Sequence, residues 1–416
     1  MTDFWTCTVV HKKYLGVRVY FVDANWEFRS LLLGVRRFSP SYVDREGGIQ
    51  GPYKAWVLQL LGDFGLSTSD FFGSTSDAGP DVKHLLTNNL QLKWEWCMAH
   101  MAHAATKEAC GMNGDTDRSR NPGMTKLIAD IKKTISDVQS IEKTGDLFPA
   151  LCTTQTSTST IQLLSYTANR FLSVASAIRR TPPQFLLRNR RLDLEQILSL
   201  LEPITSLKRL CQAEKPNQVE VLMELYRIRL DTLNLDEPLE DYRSERESPR
   251  WIEVGSLTEL AGLTRRLLRD AFDTRFFCRY TSDDYLDDGD FVFEMQQRLH
   301  PEYKNPEKSL NTIIRRLYEE KKSSGDVIQI YINRVNENIN TRVRGLLEQV
   351  SDPVEDTLPY EVSPAADEDD RPFSRIRERF GTQRRNMYRL FDMIALDKNF
   401  VGGKWIRFRW ALTRMY

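Results

Sequence analysis

Tyr14-Leu15-Gly16-Val17-Arg18-Val19-Tyr20-Phe21-Val22, followed after the polar Asp23-Ala24-Asn25 by Glu27-Phe28-Arg29-Ser30-Leu31-Leu32-Leu33-Gly34-Val35-Arg36-Arg37-Phe38, is the stretch whose reading decides the fold. Both runs are rich in β-branched, aromatic and aliphatic residues. Two such runs joined by a short polar connection predict an antiparallel hairpin. Downstream the hydrophobic period changes. Trp56, Val57, Leu60 and Leu61 recur at helical spacing, which predicts an amphipathic helix over Tyr53 to Leu66. Gly73 to Pro80 reads as a loop that a short strand enters at Asp77. Asp81 to Leu90 reads as a helix, Leu92 to Trp96 as a short strand and Cys97 to Gly111 as a helix. Strand pair, helix, strand, helix is the order of a mixed α/β sheet domain.

From Lys126 to about Val350 the pattern is helical throughout. Leu127, Ile128, Ile131 and Ile135 share one face, as do Leu194, Ile197, Leu198 and Leu201. Val219 to Leu235, Leu257 to Phe272 and Leu310 to Leu317 repeat the pattern with no fixed period, which excludes a solenoid. Ser351 to Asp370 holds eight acidic residues, three prolines and no Lys or Arg, the composition of a linker. Phe373 to Tyr416 has the opposite charge, with 11 Lys and Arg against 3 Asp and Glu, interleaved with Phe380, Tyr388, Phe391, Trp405, Phe408 and Trp410. The division is therefore an α/β domain at 1–124, an all-α region at 125–350, an acidic linker at 351–372 and a basic segment at 373–416.

The whole chain, 416 residues with Lys+Arg 58 against Asp+Glu 58, has zero formal net charge. That neutrality excludes a protein basic throughout, but not a basic segment offset by an acidic one. At 41% hydrophobic and 28% charged residues, the chain is neither collagen-like, fully disordered nor a disulfide scaffold. No run approaches the ~18 apolar residues of a membrane span. Met1-Thr2-Asp3-Phe4 has neither the basic nor the apolar region of a signal peptide. Six scattered cysteines fit reduced thiols. An intracellular protein, nuclear or cytoplasmic, is expected.

Several residues could carry chemistry. Asp3 precedes the first hairpin and Asp77 ends Phe72-Gly73-Ser74-Thr75-Ser76-Asp77. Carboxylates at strand ends of a mixed sheet can converge and bind a hard cation such as Mg²⁺, and a metal pair can activate water for phosphoryl chemistry. An Asp before a turn is, on spacing alone, more often a turn residue. Cys97, His100, His103 and Cys110 form C-x2-H-x2-H-x6-C. Zinc accepts such ligands, yet a Cys/His stripe on one helix, packed against the sheet, is the simpler reading. Arg170-Phe171 alone is a packing or capping feature. Glu378 lies among Arg375, Arg377 and Arg379, the setting of a surface ion pair. The basic segment, with Arg384 and Arg385 at its middle, can follow a nucleic-acid backbone and stack bases, or can be a solvated basic helix face. Gly-x-x-x-x-Gly-Lys-Ser/Thr and Gly-x-Ser-x-Gly are both missing from the sequence, so a P-loop NTPase or an α/β-hydrolase is not indicated.

These blocks, taken in order, resemble the hAT superfamily of DNA transposases, in the form of domesticated or decayed copies. Thr2-Asp3-Phe4-Trp5-Thr6 with the hairpin after it resembles the family's Asp-x-Trp-Thr block. Thr75-Ser76-Asp77-Ala78-Gly79-Pro80-Asp81 resembles the second acidic block, and Trp96-Cys97-Met98-Ala99-His100 the Cys-x-x-His block. Asn169-Arg170-Phe171-Leu172-Ser173 is similar to the Arg-Trp-x-Ser motif, with Phe171 in place of Trp. Ile376-Arg377-Glu378-Arg379-Phe380 resembles a shortened C-terminal Glu-Arg block.

The resemblance implies an RNase H-like α/β domain interrupted by an all-α insertion. It implies an Asp3-Asp77-Glu378 triad holding Mg²⁺, His100 beside the cleaved strand, no zinc site, and Arg170, Phe171, Arg384 and Arg385 against DNA. The partners implied are DNA and a second copy of the chain, with no membrane and no small-molecule substrate. Three departures from the family pattern bear on activity. No zinc-binding BED finger precedes the domain, the strand leading into Asp3 is cut short, and the spacing around Glu378 is compressed. The expectation is a transposase-derived nucleic-acid-binding protein without transposition activity. The alternatives are an active Mg²⁺-dependent strand transferase or endonuclease, and a non-catalytic DNA-binding or interaction module.

Overall fold

The computed structural model describes residues 1–7, 11–22, 28–39, 49–112, 118–140, 175, 188–212, 218–245, 247–288, 291–300, 302–303 and 305–350. The chain is mixed α/β and mostly helical, with small sheets.

Three antiparallel strands open the fold: β1 (Thr2–Cys7), β2 (Lys12–Val22) and β3 (Phe28–Arg37), in that order in the sheet. The hairpin read from the sequence is β2–β3. The residues around Asp3, read as lying before it, are themselves a strand. Thr2 lies opposite Val17 and Cys7 opposite Lys12, so the hairpin is the second half of a three-stranded meander. Alternation along β2 sends Leu15, Val17 and Val19 to one face, where all three are buried. A register shift between Val17 and Arg18, opposite Gly34 and Leu32, leaves Leu33 as an extra residue and turns it into the same core.

Helix α1 (Gln50–Asp63) covers that face with Tyr53, Trp56, Val57 and Leu61, spaced at i, i+3, i+4 and i+8. Each such side chain, withdrawn from water, contributes about 2 kcal/mol. The helix stops in a reversed turn. Leu66 N–H returns to Leu61 O at 2.9 Å, and Gly65 takes φ +67°, a conformation that a residue without Cβ adopts freely. The rest of the small core comes from β4 (Gly73–Ser76), α2 (Pro80–His84) with the wide turn Leu85–Asn89, and β5 (Lys93–Trp96). Val82, Leu85, Leu86 and Leu90 complete it. β4 and β5 run parallel, with Ser76 opposite Trp96, and β4 lies against β1 without joining its sheet.

Helix α3 (Met98–Ala109) belongs to this α/β stretch by sequence but not by packing. Its Met98, Met101, Ala102, Ala105 and Ala109 are buried in the second, larger core, against α5 (Arg191–Cys211) and α7 (Glu259–Phe272). The Cys/His stripe read as packing on the sheet therefore sits on a helix whose apolar side faces helices.

That larger core is also built by α4 (Pro122–Ser140), α6 (Gln218–Arg227), α8 (Asp283–Asp288), α9 (Val292–Leu299), α10 (Leu310–Glu320) and α11 (Gly325–Val350). The region is not purely helical. A two-residue ribbon pairs β6 (Leu239–Glu240) with β7 (Trp251–Ile252). Thr258 caps α7, its hydroxyl accepting from Ala261 N–H at 3.2 Å. The guanidinium of Arg229, 1% exposed, donates to Asp273 at 2.6 Å and Glu320 at 2.6 Å, joining the end of α6 to α7 and α10. Among the described residues no helix is long and apolar enough to cross a membrane.

Candidate functional site

Asp3 is the second residue of β1. Alternation places it with Trp5 on the sheet face away from α1, since its neighbours Thr2 and Phe4 point toward that helix. Asp77 follows the last residue of β4, where the parallel ribbon ends. Its position is set from several sides. Trp94 Nε1–H donates to Ser76 Oγ at 2.8 Å, and that hydroxyl donates to Asp77 O at 2.7 Å. Gly79 N–H donates to Asp77 Oδ1 at 3.3 Å, and Pro80 then opens α2 with its fixed φ. The loop read around Asp77 is thus a strand end held by an Asx turn.

The parallel pairing also delivers Cys97. Its N–H donates to Ser76 O at 2.9 Å, one step beyond the last pair of β4 and β5, and the chain turns there into α3. His100 lies one helical turn on, at i+3 from Cys97, so both project from the start of α3 toward the strand ends.

Electrostatics tie these groups together. Burial, and then the charge of Asp77, raise the Asp3 carboxyl above the usual carboxylate range, while His100 acts in the opposite direction. The Cys97 side chain raises the His100 imidazole above its ordinary value, with Asp3 and Asp77 adding to it against the cost of burial. Burial disfavours the Cys97 thiolate, yet the His100 side chain and the His100 and Ala99 amides outweigh it and hold the thiol below its usual range. Nδ1 of His100 is buried with no hydrogen-bond partner. The site therefore sets two carboxyl groups beside a thiol whose ionisation is favoured and an imidazole whose proton affinity is raised.

Two more groups reach this field. Tyr53 is fully buried, edge-on to Phe4 with ring centroids 5.1 Å apart. Its hydroxyl and that of Thr2 are buried without a partner of good geometry. Burial pushes the phenol well above its usual range, the nearby Thr2 hydroxyl eases this, and Asp77 and Asp3 add to it. The sequence pattern marks Tyr53 only as the start of a helix, and says nothing of where its ring or hydroxyl ends. Trp94 was equally silent, read as one apolar residue of a strand.

The remaining sequence candidates separate. His103 sits in the field of Lys208 and Lys107, and burial foremost, with those charges, lowers it to about 4. Cys110 closes the far end of α3, ~20 Å along the helix from Cys97 at 1.5 Å per residue. C-x2-H-x2-H-x6-C thus spans the whole helix and cannot close on one zinc ion. Among the described residues no group of three or more His, Cys, Asp or Glu could hold a metal ion. Arg170, Phe171, Glu378, Arg384 and Arg385 lie outside the described residues.

For a hard cation the described donors are Asp3 and Asp77. Two neighbouring carboxylates, one with a raised proton affinity caused partly by the other, are chemically suited to a divalent ion. They supply two protein ligands, and the third that the resemblance implies is Glu378. No family model, curated protein or solved structure matches this chain.

Proposed function

We propose that this chain is a nucleic-acid-binding protein derived from a hAT-type transposase, built on an RNase H-like sheet and no longer able to transpose. The observation that carries the reading is the shared field of Asp3, Asp77 and His100. These residues come from three separate sequence blocks, and the charges of Asp77 and His100 both act on Asp3. The resemblance, drawn from those blocks in order, implies that the three groups act on one another. The loss of transposition rests on the compressed block around Glu378. The test is binding of labelled DNA across a salt series. Affinity is expected to fall linearly in log–log form as counterions are released, and salt-insensitive binding, or none, rejects the reading.

A second reading is favoured by the carboxylate pair itself, namely Mg²⁺-dependent cleavage of a nucleic-acid strand. Asp3 and Asp77 would hold the ion, and a bound Mg²⁺ would supply an activated water and neutralise charge on the phosphate. The chain's own residues add the His100 imidazole, whose proton affinity is raised beside Cys97 and the two carboxylates. Nicking of supercoiled plasmid by the wild-type chain in Mg²⁺, lost in Asp77→Ala, is the outcome that supports this chemistry. Equal nicking by both proteins removes it and leaves DNA binding as the function.

A further inference from the structure

The face of the β1–β2–β3 sheet that carries Asp3 is open. On it Trp5 is 40% exposed, Leu32 50% and Val35 47%, while α1 covers Leu15, Val17, Val19 and Leu33 on the opposite face. Exposed apolar residues gathered on one sheet face mark an interaction surface.

The residues lie in rows across the strands. Asp3, Gly16 and Val35 form one row, and Trp5, Tyr14 and Arg37 the next. Lys12, opposite Cys7, extends the face by one more row. Trp5 stacks on Tyr14, with centroids 5.8 Å apart and planes 18° from parallel. Its indole also leans over Gly16, where a Cβ would come within 3.0 Å of the ring. Glycine there lets the indole lie flat in the row that contains Asp3. One flank of the ring is braced by protein and part of it faces solvent.

The charge on this sheet is one-sided. Lys12, Lys13, Arg18, Arg29, Arg36 and Arg37 stand against Asp3 as the single acid of the three strands. Lys12 and Arg37 are exposed and flank the Trp5–Tyr14 pair on the same face. A flat, supported, half-exposed indole among cations matches a polyanion whose monomers carry aromatic faces. In a duplex each base is already stacked on both sides, so an unpaired base is what can settle on the ring.

We propose that this face docks a single-stranded segment of nucleic acid, one base stacked on Trp5 and adjacent phosphates against Lys12 and Arg37, leading the strand to Asp3. The inference rests on the nucleic-acid reading above and adds where, and in what form, the strand is held.

The test uses the full chain and a fluorescein-labelled oligothymidylate followed by anisotropy, with circular dichroism as the check of folding. Trp5→Ala is expected to bind about tenfold more weakly, and Trp5→Phe to keep most of the affinity, as stacking on an aromatic face requires. Arg37→Ala is expected to reduce the slope of log affinity against log salt by about 0.7, the loss of one phosphate contact to a single strand. A folded Trp5→Ala protein with wild-type affinity overturns the docking face while leaving DNA binding intact. So does a duplex of the same length binding as tightly as the single strand. Should Trp5→Ala fail to fold, an unchanged salt slope in Arg37→Ala overturns it independently. A wild-type chain that binds no nucleic acid removes this inference and the wider function together.

Discussion

Cys97 has the most distinctive chemistry of any single residue outside the carboxylates. It stands at the start of α3, where two backbone amides and the His100 imidazole favour its ionised form. Its counterparts are the reverse: burial pushes the thiols of Cys110 and Cys211 up to about 12. The thiolate is the nucleophile, so a thiol whose ionisation is lowered reacts at lower pH. At pH 7 Cys97 is therefore expected to take up iodoacetamide at least about tenfold faster than Cys110 or Cys211, as read by mass spectrometry of the labelled peptides. The sign of the His100 effect follows directly. His100→Gln removes the imidazole that favours the thiolate, and the pH at which Cys97 reaches half-maximal rate moves upward. A midpoint that stays in place would mean that the amides alone hold the thiolate.

At the scale of elements, the junction of α3 with the helical region turns on Asn121, which is fully buried. Its Nδ2 donates to Ala109 O at the end of α3, 2.9 Å away, and to Thr264 Oγ1 on α7, also 2.9 Å away. Its Oδ1 accepts from Met124 N–H in the first turn of α4 at 3.2 Å. One side chain thus joins three helices from a fully buried position. Asn121→Ala leaves buried donors and acceptors unpaired and is expected to cost about 2–3 kcal/mol, measured as a lower urea midpoint at unchanged slope.

The elements differ in how plainly the sequence announces them. The helical spacing of Trp56, Val57 and Leu61 and the β-rich Tyr14–Val22 name their structures, because each has one buried face and therefore one period. Thr2–Cys7 does not, since its Asp3 and Thr6 dilute the apolar signal and its pairing partner is the neighbouring strand. Likewise Ser76, Asp77 and Gly79 spell a turn, while the strand feeding that turn is specified by its parallel partner, Lys93–Trp96. For the site, local pattern favoured turn residues at both Asp3 and Asp77, and only the resemblance joined them to His100. Their meeting depends on strand adjacency, a long-range property that no window of sequence contains. Tyr53 is hidden altogether, because the periodic set Trp56, Val57, Leu60 and Leu61 leaves it only as a helix boundary.

On the scale of the whole molecule, the two cores meet at the β5–α3 junction with no loop between them. Leu92 and Trp94 pack into the small core, Trp96 and Met98 into the large one. The carboxylates stand on the first body and Cys97 and His100 on the helix that enters the second, so the candidate site exists only where both are folded. A cut after residue 124, where composition divides the chain, would leave α3 without its partners. Met98, Met101 and Met112 are 4%, 2% and 9% exposed in the intact chain. Returning them to water costs about 2 kcal/mol each, and a total of roughly 6 kcal/mol is comparable to the whole stability of an ordinary domain. A fragment of residues 1–124 is therefore expected to bind the dye ANS strongly and to unfold without a cooperative transition, while the intact chain does neither. If the fragment instead melts cooperatively and binds no dye, the sheet carries its own stability and α3 is an appendage of the helical body. The carboxylate pair could then be studied without that body. The packing of α3 argues for the first outcome, because the face it buries points away from the sheet.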